Sequence, residues 1–297
     1  MHRRANGRLI SFLFVVYVLH GVPHCFAQGQ LSEVRESVRT PSYRKGTSEA
    51  TKSKRRPRRK HCNHSYGCNC DEDNDLWYGN LFWKAAFYGV TSPVWVPVKI
   101  ADDDYSSVGY FPEHPYENGA NGYMMIDPWL PNEPFVFAIQ ARSEYSTDFD
   151  DLSRIGARVL FDTSTRFGID TEANYWSEQL ATGGHDQLWT GDMNLVFRFA
   201  QSDWLQMRTG LGANWLSDDA GQDWGFNFTY GGDLFPADPW VVSAELDLGT
   251  IGHGTLVHGR MTTGLQWQRA EVFVGYDYYK VDRTELVGFL SGIRLWY

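Results

Sequence analysis

A two-residue alternation of apolar and polar side chains runs from residue 135 to the end of the chain and constrains its fold more than any other feature. In one such stretch Trp224, Phe226 and Phe228 occupy every second position, with Gly225 and Asn227 between them. Successive side chains of a β-strand point to opposite faces of a sheet, so the pattern predicts strands with one apolar and one polar face. About ten such stretches follow one another, which predicts an all-β fold of antiparallel strands.

Three features indicate which face of these strands meets water. The stretches are about 10 to 13 residues long, the length that a tilted strand needs to cross a bilayer. Their polar positions carry Gly, Arg, Asp and Glu, whereas Lys280 is the one lysine after Lys99. Short connections alternate with longer ones, which we expect at 146–153, 177–186, 216–223 and 249–256. These features favour apolar faces turned to lipid; the alternative is a soluble, lipocalin-like ligand-binding barrel with its apolar faces turned inward.

The final stretch, residues 285–297, ends in an aromatic residue after apolar residues at alternate positions, namely Phe289, Ile293, Leu295 and Tyr297. Bacterial outer-membrane β-barrel proteins carry their assembly signal in such a closing strand, and residues 134–297 resemble them. The resemblance covers a little over half of the chain and is architectural, since no particular family matches motif by motif. It implies an antiparallel up-and-down transmembrane β-barrel of about ten strands, within a range of about eight to twelve. It also implies an outer-membrane location, with the lipid bilayer and the outer-membrane assembly machinery as partners.

Residues 1–27 have the order of a secretory signal peptide. A basic segment with Arg3, Arg4 and Arg8 precedes an apolar run at 9–22, and Ala27 ends a small-residue cleavage site. The apolar run has about 14 residues, fewer than the roughly 20 that a membrane-spanning helix needs. We therefore predict export of the chain and cleavage after Ala27.

Residues 28–75 form a basic segment in front of an acidic body. They carry more Lys and Arg than Asp and Glu, and residues 28–60 contain almost no large apolar side chain. Such a segment buries too little apolar surface to offset the entropy of ordering, which predicts a disordered arm. The run KSKRRPRRK at 52–60 favours a solvated tether. In an exported chain the alternative is binding to peptidoglycan or another anionic envelope polymer, not to nucleic acid.

Residues 61–70 hold a dense group of thiols and imidazoles: His61, Cys62, His64, Cys68 and Cys70. These groups suit a soft metal ion, although their spacing matches no standard zinc pattern. Exported proteins meet oxidising conditions, so a disulfide with one odd thiol is the competing interpretation. Both interpretations stay open, and we predict no other cofactor.

Residues 76–133 are rich in aromatic residues, proline and glycine and predict an irregular segment. Residues 76–90 have apolar side chains nearly all round a helical projection. They therefore predict a short helix that is either packed in a core or placed at a membrane interface.

Charged residues of both signs occupy polar positions on successive strands, where a narrow barrel would turn them into its lumen. An unpaired charge inside a low-dielectric wall is costly, so we expect these groups to pair across the interior and fill it. A pore for small solutes is the alternative. The predicted network consists of Arg142, Glu144, Arg158, Asp170, Glu172, Asp192, Arg198, Arg208, Glu245, Asp247, Arg260, Asp277 and Arg294.

The longer loops collect acidic residues and histidines, which suit a divalent cation but are also common in solvated loops. They are Asp148, Asp150, Asp151, His185, Asp186, Asp218, Asp219, Asp223 and His253. An enzyme would need one of these histidines beside an activated serine or a carboxylate, and the sequence reveals no such catalytic set. The predicted function is therefore a structural or binding role in the cell envelope, with a pore or an outer-membrane enzyme as alternatives.

Overall fold

The structure, a computed structural model, describes residues 29–41, 91–105, 108–126, 135–181 and 183–297. Ten antiparallel strands form one closed sheet, in which each strand pairs with its neighbours in sequence and β1 pairs with β10. The up-and-down barrel that the alternation predicts is therefore confirmed. The strands are β1 Phe137–Thr147, β2 Leu152–Thr163, β3 Phe167–Gln179, β4 His185–Gln201, β5 Leu205–Asp218, β6 Gly221–Ala237, β7 Trp240–Ile251, β8 Gly254–Trp267, β9 Ala270–Val281 and β10 Thr284–Trp296.

The pairing of β1 with β10 closes the barrel. It runs antiparallel from Gln140 opposite Trp296 to Thr147 opposite Phe289. Both strands also pair on their other sides, so the sheet has no open edge that could recruit another chain. We call the end of the barrel where β1 begins and β10 ends the lower mouth, and the opposite end the upper mouth.

The alternation places side chains inside and outside the barrel as predicted from their parity. On β4, Asn194 and Val196 are 2% exposed, whereas Met193 and Leu195 on the opposite face are 60% and 61% exposed. The closing residues Phe289, Ile293 and Tyr297 lie on the outer face, while Trp296 beside them is fully buried in the interior.

The two rims differ less in loop length than the sequence predicted. Strands continue into the expected longer loops at 216–223 and 249–256, where β5–β6 and β7–β8 are joined by tight turns. The barrel hydrogen bonds extend because polar residues at these positions still alternate with apolar ones that point into the upper mouth, such as Leu216 and Ile251.

A short amphipathic helix, α1 (Gln30–Arg39), fills the upper mouth. Leu31, Val34 and Val38 lie on one face of the helix and are completely buried. They pack among apolar residues at the upper ends of the strands: Leu152, Trp176, Leu188, Leu216, Ile251, Leu256, Tyr279, Val281 and Leu286. The expected disordered arm is therefore wrong for residues 30–39, because their helical apolar stripe is buried in tertiary contacts. Residues 42–75 lie outside the described residues.

The lower mouth is closed by a different segment, residues 108–126. Phe111, Tyr123 and Met124 are almost fully buried there and pack against Trp296 and Phe235 of the barrel. The Tyr123 hydroxyl donates to the backbone carbonyl of Tyr297 over 2.9 Å. The segment contains a short 3₁₀ helix, Glu117–Gly119, and is otherwise largely irregular.

Residues 91–101 are helical and lie against the outer wall of the barrel near the lower mouth. The helix expected at 76–90 and the signal peptide at 1–27 lie outside the described residues. In the part of the chain that the structure describes, no helix is long and apolar enough to cross a membrane.

Candidate functional site

Arg260 of β8 is the centre of the charge network inside the barrel. Its guanidinium lies 2.9 Å from Glu144, 2.7 Å from Glu172 and 2.9 Å from Glu245, with Asp277 at 3.4 Å. These carboxylates come from β1, β3, β7 and β9, so the Arg260 side chain connects four strands of the barrel. The planar guanidinium has several N–H donors and can contact several carboxylates at once, which a lysine ammonium does less well.

Two neighbouring arginines share the same carboxylates. Arg142 lies 3.0 Å from both Glu144 and Glu172, and Arg154 lies 2.7 Å from Glu144. Arg154 also contacts Asp277 over 3.1 Å. Each carboxylate therefore meets more than one cation, and removal of one arginine leaves several acids undercompensated.

A second group of ion pairs lies nearer the lower mouth. Arg198 pairs with Asp162 over 2.7 Å, and its Nη2 donates to the carbonyl of Thr163 over 2.9 Å. Arg208 and Arg294 both contact Asp233. Charges thus pair in the lower part of the lumen as well as in the middle.

The predicted lumen residues all lie inside the barrel. Arg158 pairs with Asp170 and Glu245. Asp192 accepts a hydrogen bond from the amide of Asn194 over 2.7 Å, and Asp247 lies 3.4 Å from a ring nitrogen of His258.

Sequence reasoning missed several charged partners in the same network: Arg154, Asp162, Arg166, Asp233, His258 and Glu271. Most of them share the parity of the predicted charges, so the alternation itself was a signal that could have found them. Arg166 is different, because it lies at the turn between β2 and β3, and its partner Asp103 comes from outside the barrel strands. No local pattern links those two positions.

His258 lies between two carboxylates, with its ring nitrogens 3.4 Å from Asp247 and 3.0 Å from Asp277. Its ring also packs edge-on against Tyr279, 5.2 Å away between centroids. An imidazole beside a carboxylate is a common catalytic pair, but this one is 4% exposed and belongs to the ion-pair network. The geometry therefore indicates a structural role for His258 within the ion-pair network.

Acidic residues at the upper rim hold α1 in place. Arg35 contacts Asp186 over 2.6 Å and Asp218 over 2.7 Å. Arg39 contacts Asp218 over 2.7 Å and Asp223 over 2.9 Å. Hydrogen bonds to Asp186 and Asp218, respectively, are the main reason that the pKa values of Arg35 and Arg39 are raised. Three of the predicted loop acids thus bind the two arginines of α1.

The N-terminus of α1 receives a carboxylate from the barrel. Glu178, near the end of β3, accepts hydrogen bonds from the backbone N–H of Gln30 over 2.7 Å and of Leu31 over 2.9 Å. These N–H groups have no partner inside the helix, and the positive end of the helix dipole favours an acid there. α1 is therefore fixed by its apolar face, its arginines and its first turn.

The remaining rim residues do not form a joint site. Asp150, Asp151, His185, Asp219 and His253 are exposed, and Asp148 caps the backbone of its own turn. Among the described residues no group of His, Cys, Asp and Glu is arranged to hold a metal ion. The cluster with Cys62, Cys68 and Cys70 lies outside the described residues and remains a prediction.

The network predicts a large effect for Arg260→Met, which keeps an unbranched side chain but removes the charged guanidinium. Four carboxylates lose a shared cation in the interior, and we expect the free energy of unfolding to fall by about 3–5 kcal/mol. Urea titration of the refolded protein, followed by tryptophan fluorescence, measures the loss. Arg269→Met is the matched control, since its pair with Glu113 is 45% exposed on both sides and contributes at most about 1 kcal/mol. Equal losses in both variants would contradict the network.

The docking of α1 predicts that Val34→Asp releases the helix from the upper mouth. The change loses about 2 kcal/mol of apolar burial and places a carboxylate against apolar residues. Hydrogen exchange of the α1 amides should accelerate by about 30-fold or more, since 1.4 kcal/mol corresponds to about a factor of ten. Glu36→Asp puts the same residue on the exposed face and should leave exchange unchanged. Slow exchange in Val34→Asp would show that the helix does not depend on this contact.

No family model matches this sequence, and no curated protein is similar to it. Among solved structures, the chain is similar to the Yersinia pestis outer membrane protein Ail in a phospholipid bilayer nanodisc. The identity is 12%, the similarity covers 54% of this chain and 98% of that chain, and the TM-score is 0.30. The fold described here rests on the strand pairing of the chain itself.

Proposed function

We propose that the protein is an exported outer-membrane β-barrel with a closed, ion-paired lumen and a structural or binding role in the cell envelope. The observation that carries this proposal is the outer surface of the barrel. It combines a continuous apolar band with aromatic residues at both ends of the strands.

Aliphatic side chains dominate the middle of the outer surface. They include Val159, Ile169, Met193, Leu195, Leu211, Met261, Val274 and Val287, all of them exposed. Soluble proteins seldom expose contiguous apolar patches of more than a few hundred square ångströms. A band that surrounds the barrel is explained by contact with lipid acyl chains.

Exposed aromatic residues border this band on both sides. Near the upper mouth they are Tyr145, Phe149, Trp189, Trp224 and Phe289, and near the lower mouth Phe135, Phe137, Phe161, Phe167, Trp240, Trp267 and Tyr297. Aromatic rings prefer the boundary between hydrocarbon and lipid head groups. The two belts of aromatic residues therefore support the proposal that a bilayer surrounds the barrel between them. They disfavour the soluble barrel with inward apolar faces.

The interior supports a closed barrel over a pore. Ion pairs occupy the middle, α1 fills the upper mouth, and residues 108–126 pack into the lower mouth. A conducting channel needs a continuous polar path for water, whereas apolar constrictions exclude it. The three layers of packing support a structural or binding role.

The even number of strands puts the start of β1 and the end of β10 at one mouth. We propose that this lower mouth faces the periplasm and that the upper mouth faces the cell exterior. Residue 41 leaves α1 at the upper mouth, and the basic run begins 11 residues later in the sequence, at Lys52. Chain length keeps Lys52, the first residue of that run, within about 40 Å of residue 41. It therefore suits an anionic envelope polymer on that side of the membrane. Peptidoglycan is the periplasmic alternative.

The orientation predicts different accessibility for two exposed positions, Thr40 and Asp104, in a background with Cys62, Cys68 and Cys70 changed to Ser. A membrane-impermeant maleimide should label Thr40→Cys in intact cells, and Asp104→Cys only after the outer membrane is permeabilised. The protein should also fractionate with the outer membrane and migrate differently in detergent gels after heating. Recovery in the soluble periplasmic fraction would refute the membrane proposal, and the reverse labelling would refute the orientation.

The closed lumen predicts that the protein does not conduct ions in planar bilayers. Val34→Asp should stay equally silent, because the ion pairs below α1 remain in place after the helix is released. Single-channel recording measures the ion conductance of both proteins. Conductance steps in the wild type would favour the pore, and steps in Val34→Asp alone would make α1 the gate of a channel.

A further inference from the structure

Residues 91–105 occupy part of the outer barrel wall that would otherwise face lipid. Val98 and Ala101 pack on a cluster formed by Phe199, Ala200 and Leu205, which are at most 9% exposed. Phe199 and Tyr230 stack there with their ring centroids 5.6 Å apart. On this side of the lower rim, the segment covers outward-facing aromatic residues. Outward-facing aromatic residues at other places on the rim are exposed.

Polar contacts attach both ends of this segment to the barrel. The Tyr230 hydroxyl donates to the carbonyl of Pro93 over 2.6 Å. Asp103 forms a two-point pair with Arg166 at 2.6 and 2.7 Å and accepts the backbone N–H of Gln201 over 3.0 Å. Burial opposes the ionised form of Asp103, but the hydrogen bond and charge of Arg166 keep its pKa below the ordinary value. The segment is therefore held in a defined position on the wall.

The surface that this segment turns away from the barrel is largely apolar. Val94 and Ile100 are 50% and 56% exposed, and Trp95 and Tyr105 are exposed beside them. The Lys99 ammonium lies 5.0 Å from the centre of the Trp95 ring. A helix on the surface of a soluble protein normally presents polar residues to water. Tryptophan, tyrosine and a lysine with a long aliphatic stem instead suit the boundary between acyl chains and head groups.

We propose that residues 91–105 form an anchor at the membrane interface, whose partner is the phospholipid leaflet on the side of the lower mouth. Val94, Trp95 and Ile100 enter the boundary between head groups and acyl chains to a depth of about 5–10 Å. Asp102 and Asp104 stay exposed at the end of the helix. The inference rests on the proposed membrane barrel and extends its apolar band with a segment that belongs to no barrel strand.

The anchor can be tested with an environment-sensitive nitrobenzoxadiazole label at single cysteines, in the background with Cys62, Cys68 and Cys70 changed to Ser. The label is placed at Val94→Cys on the exposed helix face, at Asp104→Cys beyond the helix, and at Leu195→Cys in the middle of the apolar band. Each protein is refolded into phosphatidylcholine vesicles that carry a nitroxide at carbon 5 or at carbon 12 of an acyl chain. The Val94→Cys and Asp104→Cys side chains replace exposed ones, so the variants keep the packing of the segment.

The anchor predicts that the carbon-5 nitroxide quenches the label at position 94 at least about twofold more than the label at position 104. It also predicts that the carbon-12 nitroxide quenches position 195 more strongly than position 94, because position 195 lies deeper. Quenching at 195 with equal, weak quenching at 94 and 104 would overturn the anchor and leave the membrane barrel intact. Absence of lipid quenching at 195 would overturn the barrel proposal and the anchor with it.

Discussion

The pairing of buried charges inside a closed sheet is the constraint on which the rest of this structure depends. An isolated charge transferred to a low-dielectric interior costs several kcal/mol, and good pairing geometry is needed to offset that cost. Arg260 meets this condition through carboxylates on four strands, including Glu144 of β1 and Asp277 of β9. Barrel closure and charge pairing therefore depend on each other, because the partners come from strands far apart in sequence.

Apolar closures at both mouths set the electrostatic environment of this network. Val34 in α1 and Phe111 in the lower segment are buried above and below the ion pairs. Burial beneath apolar side chains lowers the local dielectric constant, which strengthens attraction between paired charges and raises the penalty for an unpaired one. The same layering explains why acids at the upper rim, such as Asp218, are paired with arginines of α1. The helix brings apolar contacts and neutralising charge to one place.

The two-residue alternation was sufficient to predict the barrel and the inward position of the charges, because parity fixes the face of every side chain on a strand. The same parity would also have revealed partners such as Arg154. The segments outside the barrel were less predictable. Leu31, Val34 and Val38 have helical spacing, but the polar composition around them predicted disorder, and only contact with the upper mouth stabilises α1. Residues 91–101 contain Pro93 and Pro97, which argue against a helix in isolation. The barrel wall supplies the contacts that override this local preference.

Irregularities in the strand register occur at the lower rim, where the segments outside the barrel attach. One register shift in β4 lies between Arg198 and Ala200, and one in β6 lies between Leu234 and Ala237. A bulge disrupts the regular pairing and redirects neighbouring side chains and backbone groups. In β4 the shift is followed by Gln201, whose backbone N–H reaches Asp103. In β6 the register shift includes Phe235, whose side chain belongs to the apolar cluster of the lower mouth and packs edge-on against Trp296. The other strand pairs keep an uninterrupted register, so regular pairing builds the wall, and each of the two bulges adds one contact to the segments at 91–105 and 108–126.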